Sequence, residues 1–348
     1  MGSEGSDERV IAGRYRLQAT VGRGGMGVVW RATDQLLGRE VAVKELVPDD
    51  SPSAARARSS RDRTLREARA LAQLRHPHIS VVHDVVEDDE RLYIVMELID
   101  GGSLADRIAA DGPVDAREAA RIGIALLGAL RAAHEAGVLH RDLKPANVLI
   151  ESGTGRVVLT DFGVAQVEGA TTLTESGTFV GSPEYTAPER MSGSGTGPAS
   201  DLWSLGVLLC TSVSGESPFH RDSLGGLLHA VVAAPIRPPA QAGPMLPVVL
   251  GLLERDPERR LDAAQAERML RDFLETGRAP EPVRSQRTSR DRVVIVLLVA
   301  AMVAVSAAAL FVNGGAGDGD GPPVSPTPST SLSTSASPSA SGSNSPPE

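Results

Sequence analysis

His140-Arg141-Asp142-Leu143-Lys144-Pro145-Ala146-Asn147 runs into Val148-Leu149-Ile150, and fourteen residues past Asn147, after Val157-Val158-Leu159, stands Asp161-Phe162-Gly163. Two short apolar runs that end in polar loops predict two strands, which bring Asp142, Asn147 and Asp161 to one edge. The three supply a carboxylate that orients a hydroxyl, an amide oxygen and a hard carboxylate, the oxygen donors that Mg2+ takes beside phosphate groups. A lone Asp is usually a cap or turn residue. Three such groups at this spacing, with a lysine far upstream, point to chemistry.

That upstream lysine is conspicuous, because 33 of the 35 basic residues are Arg and the only lysines are Lys44 and Lys144. A compact ammonium differs from a flat guanidinium fork, so these two positions select for it. Lys44 closes the run Val41-Ala42-Val43-Lys44, whose alternation predicts a strand. Before it, Val21-Gly22-Arg23-Gly24-Gly25-Met26-Gly27-Val28-Val29 is flanked by strand-like sequence on both sides. The loop therefore predicts a hairpin over phosphates, where absent side chains let backbone N–H groups approach. Lys44 then stands where one ammonium neutralises two adjacent phosphates. A buried lysine needs an anion, and Glu67 is the expected partner. It lies on the helical stretch Arg61–Leu74, whose apolar face is Leu65, Ala68, Leu71 and Ala72.

The chain of 348 residues has room for a large two-lobed domain plus appendages. A formal net charge of −9 gives no basic field for a phosphate backbone, so no nucleic-acid partner is expected. A single cysteine, Cys210, sits in the apolar run Leu205–Val213, which suits a reducing compartment and a packing role.

Beyond a Pro- and Arg-rich stretch, Val293–Val312 is twenty residues without a charge. At about 1.5 Å per residue that spans a bilayer's hydrocarbon core of about 30 Å. Arg284, Arg287, Arg290 and Arg292 precede it and no Lys or Arg follows, so the positive-inside rule predicts a single-pass plasma-membrane protein with its N-terminal domain cytoplasmic. Ala300, Ala304 and Ala308 put small side chains on one face, a route to a homodimer. The Pro/Ser/Thr-rich tail to Glu348 is too polar to fold and is expected outside the cell.

Taken together, the motifs between about Tyr15 and Leu274 resemble the eukaryotic-like (Hanks-type) Ser/Thr protein kinases, particularly the membrane-anchored receptor kinases of actinobacteria. The resemblance implies an α+β, two-lobed protein kinase fold, with a disordered stretch 1–14, a β-rich small lobe 15–97 and a mainly helical large lobe 98–274. A juxtamembrane linker 275–292, a transmembrane helix 293–312 and a disordered tail 313–348 complete the expected organisation. It further implies transfer of the γ-phosphoryl of ATP, with Mg2+ or Mn2+, to Ser or Thr hydroxyls of protein substrates.

By the same resemblance, Val21 to Val29 cover the phosphates and the base, Lys44 binds the α/β-phosphates and pairs with Glu67, and Asp142 orients the substrate hydroxyl. Lys144 contacts the γ-phosphate, while Asn147 and Asp161 hold the metals. Met96, Glu97 and Ile99 form the gatekeeper and the segment that reads the adenine edge, with Ala42 and Leu149 against the base. Between Asp161 and Ala187-Pro188-Glu189 lies an activation segment, where Thr172 and Thr174 are the expected autophosphorylation sites and Ser182 contacts substrate. Glu189 is expected to pair with Arg260, and Asp201 to tie down the catalytic loop. Two other readings, a membrane-tethered scaffold lacking catalysis and a small-molecule phosphotransferase, fit less well. The motif set is complete, and Ala187-Pro188-Glu189 suits a protein acceptor.

Overall fold

A computed structural model describes residues 9–24, 27–46, 54–163, 182–193 and 195–280. Gly25, Met26, Thr172, Thr174, the apolar run Val293–Val312 and the tail lie outside the described residues. Among the described residues no helix is long and apolar enough to cross a membrane.

The small lobe is a six-stranded antiparallel sheet ordered β1-β2-β3-β4-β6-β5. Its strands are β1 (Val10–Ile11), β2 (Tyr15–Gly24), β3 (Gly27–Asp34), β4 (Arg39–Leu46), β5 (Val82–Asp88) and β6 (Arg91–Met96), and helix α1 (Ala54–Gln73) packs on β5. The glycine loop is the expected hairpin, for Gly22 pairs with Val29 and Gly24 with Gly27. Register shifts at Leu17/Ala19 and Thr20/Gly22 bend β2 as it approaches the turn.

One expectation for this lobe needs correction. Residues 1–14 were expected to be disordered, yet Val10 and Ile11 form β1, Ile11 is fully buried and Arg9 donates to the Tyr93 hydroxyl. One isoleucine in a polar stretch carries no periodicity, but it closes a small second core with Tyr15, Leu17, Val41, Val43, Tyr93 and Val95. The expected strand through Lys44 is β4, and Val41 to Leu46 are all buried because cores lie on both of its faces. Val41 and Val43 enter that outer core, while Ala42 and Leu46 join the main one.

The large lobe comprises α2 (Leu104–Asp111), α3 (Ala116–Glu135), the hairpin β7 (Val148–Ile150) and β8 (Val157–Leu159), α4 (Pro188–Met191), α5 (Pro198–Ser214), α6 (Leu224–Val232), α7 (Leu246–Leu252) and α8 (Ala263–Thr276). Helix α3 packs against both α5 and α8. Helix α5 is buried almost throughout, from Ser200 to Val213, as a central core helix is. Trp203 stacks on Phe219 at 5.4 Å, and Cys210 is a core residue whose thiol burial pushes up to about 12. Pro198 opens α5 and Gly215 caps it in the left-handed region, local signals that set its length.

Candidate active site

The site lies where the two lobes meet. A cleft lined by Lys44, Ile94, Met96, Thr160, Asp161 and Phe162 joins the inner face of β4 and β6 to the residues that follow β8. Lys44 pairs across the sheet with Val29 and with Ile94, and Ala42 with Met96, so four of the predicted nucleotide-site residues share one surface. Leu149, on β7, forms a backbone bridge with Ser103.

The glycines differ in what requires them. A Cβ on Gly22 or Gly24 would meet nothing within 4 Å, which leaves the upper face of the loop open. Gly27 sits at φ 135°, and its Cβ would lie 2.0 Å from the Glu45 carbonyl oxygen. That glycine is needed for β3 to pass β4, a packing reason that the motif does not disclose. The sequence reading also missed Gly101, at φ 122°, where a Cβ would lie 2.1 Å from the Ile150 carbonyl oxygen. It seats the segment after Met96 on the β7–β8 hairpin.

In the large lobe the catalytic-type loop is tied at every group. Asp201, 2% exposed, accepts from the backbone N–H of His140 at 2.9 Å and of Arg141 at 2.8 Å, and meets His134 Nε2 at 2.8 Å. Burial alone would raise its carboxyl. The His134 hydrogen bond, the neighbouring His140 and the backbone donors outweigh that and hold it below the usual range. His140 is fully buried, its Nε2 meets the Thr160 carbonyl oxygen at 2.9 Å, and burial lowers its pKa, so it is neutral near pH 7. Arg141 and Asp161 adopt φ of 66° and 59°, a left-handed backbone that ordinary residues rarely hold. Such geometry clusters at functional sites because the surroundings over-determine it.

Around Asp142 the predicted groups converge. Lys144 Nζ donates to Asp142 Oδ2 at 2.7 Å and to Ser182 Oγ at 3.1 Å. Asn147 Nδ2 donates to the Asp142 carbonyl oxygen at 2.8 Å and to its Oδ2 at 3.2 Å. The Asn147 amide oxygen is thereby left as the acceptor, and with the Asp161 carboxylate it makes a hard oxygen set of the kind Mg2+ takes. Glu189 and Arg260 pair through two bonds of 2.8 and 3.0 Å, as expected, and Arg260 also lies over the Trp203 ring. Phe162 of the quoted Asp161-Phe162-Gly163 lines the cleft, as does Thr160, and Arg190 donates to the Arg141 carbonyl oxygen; Thr160 and Arg190 carry no sequence signal of their own.

One expected contact is replaced. Glu67 does not hold Lys44: its Oε1 accepts from Arg141 Nη1 at 3.0 Å, while Lys44 Nζ pairs with Asp161 Oδ1 at 2.9 Å. Lys44 and Glu67 each meet a partner other than the one expected. Each charge is still satisfied, so burial does not penalise this arrangement. The helix pattern around Glu67 is correct, with Ala68 and Leu71 buried, but it leaves open which cation its carboxylate meets.

Comparison with known proteins identifies the family. The protein kinase domain family matches residues 15–270. Serine/threonine-protein kinase PknA of Mycobacterium tuberculosis is 40% identical over 242 residues, 68% of this chain and 54% of that protein. PkaA of Streptomyces coelicolor is 36% identical over 284 residues (77% and 51%), and PrkC of Bacillus subtilis 34% over 260 (73% and 39%). The chain thus spans about half the length of these relatives, or less. The crystal structure of Rad53 1-466 in complex with AMP-PNP superposes with a TM-score of 0.61 at 29% identity, covering 73% of this chain and 64% of that one. This chain belongs to the protein kinase family, and bacterial serine/threonine-protein kinases are among its relatives.

Proposed function

We propose that the chain transfers the γ-phosphoryl group of ATP to serine or threonine hydroxyls of proteins. The observation that carries this is Lys144 Nζ joined at once to Asp142 Oδ2 and Ser182 Oγ, which puts a proton acceptor, a phosphate-binding cation and a substrate-facing segment at one point. In the reaction the acceptor hydroxyl oxygen attacks the γ-phosphorus in line and the bond to the β-phosphate oxygen breaks. ADP leaves with that electron pair, and Asp142 orients the hydroxyl and takes its proton. Lys44 binds the α/β-phosphates, Lys144 neutralises charge on the moving phosphoryl, and the open face over Gly22 and Gly24 admits the phosphates. Ala42, Leu149 and Val29 enclose the base beside Met96, Glu97 and Ile99. Asn147 and Asp161 would hold Mg2+, which supplies charge neutralisation to the phosphates. Lys44 leaves Asp161 for the nucleotide in this scheme, which frees that carboxylate for the metal and Lys44 for Glu67.

The sequence outside the described residues extends the reading. The Arg-flanked run Val293–Val312 supports a single membrane pass with the kinase domain on the cytoplasmic side. Thr172 and Thr174 are the proposed autophosphorylation sites. Labelled ATP offered to the full-length chain with Mg2+ and a basic acceptor protein tests the activity. Label on Ser or Thr in the wild type and none in Asp142→Asn supports it, and equal label in both sinks the assignment. Mass spectrometry that finds no phosphate across 171–178 in an active preparation refutes the autophosphorylation sites. Recovery of the chain in the aqueous fraction of lysed cells refutes the membrane pass.

A further inference from the structure

Arg156, at the start of β8, makes contacts that the phosphotransfer scheme does not use. Its Nη2 donates to Glu97 Oε1 at 2.5 Å and to Glu151 Oε1 at 2.9 Å, its Nε to Glu151 Oε2 at 3.3 Å, and its Nη1 to the Pro77 carbonyl oxygen at 3.3 Å. One side chain thus joins three segments: the residue directly after Met96, the turn between β7 and β8, and the loop that leads from α1 to β5. All three charged partners are about three-quarters buried, at 24–26% side-chain exposure, so the pairs are shielded more than surface ones. Glu151 is held in place by the Thr154 hydroxyl as well as by Arg156, and the two hydrogen bonds keep its carboxyl below the usual range.

The backbone around this guanidinium is stitched in the same sense. The Glu97 N–H donates to the Val81 carbonyl oxygen at 2.9 Å, and the Ser152 N–H to that of Asp100 at 2.8 Å. The segment between the lobes therefore hangs from the small lobe at one end and from the β7–β8 hairpin at the other, with Arg156 crossing from one to the other. We propose that Arg156 is a positioning residue for the nucleotide: by clamping Glu97 to the hairpin it fixes the inter-lobe segment on which the adenine edge rests. This rests on the nucleotide-site reading above. Freed of the clamp, the segment samples more conformations, and nucleotide binding must then order it at a cost.

The test uses the full-length chain. Arg156→Ala is expected to raise both KM for ATP and the dissociation constant of MgATP by about 3- to 10-fold, the worth of a charge-assisted pair that keeps part of its surface in water, with kcat held within about twofold. Arg156→Lys, which keeps one charged bond, is expected to recover part of the loss. Glu97→Gln is expected to raise KM similarly, and the double variant to be no worse than Arg156→Ala alone. A purely structural role would lower melting temperature and kcat and leave KM unmoved, and that result in a folded Arg156→Ala protein overturns the proposal. Additive losses in the double variant overturn it too. Should Arg156→Ala not fold, Glu97→Gln decides, since it keeps Arg156 and its other bonds: a raised KM supports the clamp and an unchanged one refutes it. A wild type that binds MgATP but transfers no phosphate overturns the kinase reading only, since the binding arm still reads the clamp.

Discussion

The two walls of the cleft are built to different rigidity. On the large-lobe side, the loop that carries Asp142 hangs from Asp201, with His140, Arg141 and His134 all bonded to that one buried carboxylate. On the small-lobe side, position depends on two ion pairs whose carboxylates, Asp161 and Glu67, keep 26% and 22% of their side-chain surface exposed. Removing a partner from a fully buried network leaves an uncompensated charge and costs several kcal/mol, whereas a pair whose carboxylate keeps part of its surface in water loses less. The large lobe therefore holds the loop around Asp142 firmly. On the small-lobe side Glu67 meets Arg141 and Lys44 meets Asp161, so the expected Lys44–Glu67 pair is absent here.

The sharpest way to break this contrast is chemical. Asp142→Asn keeps the shape of the loop but removes the proton acceptor, and phosphate incorporation is expected to fall by about a hundred- to ten-thousandfold with little change in melting temperature. Lys44→Met should be similarly silent in the labelling assay. Retained activity in both variants would refute the assigned roles. Next in size is the buried support. Arg260→Ala strands Glu189, whose carboxyl burial would raise but Arg260 holds low, and should cost about 3–5 kcal/mol, read as a melting-temperature drop of about 10 °C. A drop below about 2 °C would mean that the large lobe is no stiffer than the small one.

Glu67→Gln addresses the other wall. Its pair with Arg141 is partly exposed, so melting should move by no more than about 2–3 °C. Activity is nevertheless expected to fall about tenfold, because Lys44 loses the anion that holds it once it leaves Asp161. Unchanged kcat in this variant would show that Lys44 works without Glu67. The smallest effect concerns the edge of the sheet, where Arg14 makes two 2.8 Å bonds to the buried Asp34 and holds its carboxyl at about 2 against an ordinary 3.8. A lowered folded-state pKa contributes stability above the unfolded value and loses it as pH falls through the folded one. The stability of the wild type should therefore decline between about pH 4 and pH 2, and Asp34→Asn should flatten that part of the curve in acid melting measurements.

Much of this was legible before any coordinates. Covalent spacing alone puts Asp142 and Asn147 on one loop and Asp161 just beyond the next strand, because strands as short as β7 and β8 leave little freedom in where their ends lie. The glycine hairpin, the Glu189–Arg260 pair and the Asp201 anchor were likewise expected and are present. Less legible were the features that depend on a single side chain with many candidate partners. Ile11 sits in a polar stretch without periodicity, so its burial in the outer core of the sheet had no signal. Gly27 and Gly101 look alike as letters, yet each is required by a carbonyl oxygen far away in sequence.

The sequence by itself determined the order of the elements, the chemistry that meets at the cleft and the family to which the chain belongs, because those are carried by local patterns and by residue types that few other arrangements need. Only the tertiary structure decided which carboxylate meets which cation. Lys44, Arg141, Glu67 and Asp161 are two positive and two negative groups, and the fold pairs Lys44 with Asp161 and Arg141 with Glu67. Arg156 likewise had several acidic residues to choose from and takes Glu97 and Glu151 because the β7–β8 turn and the segment after Met96 come together. Such choices turn on side-chain geometry at the scale of an ångström, where attraction falls with distance and burial sets its strength, and neither quantity is written in the order of the residues.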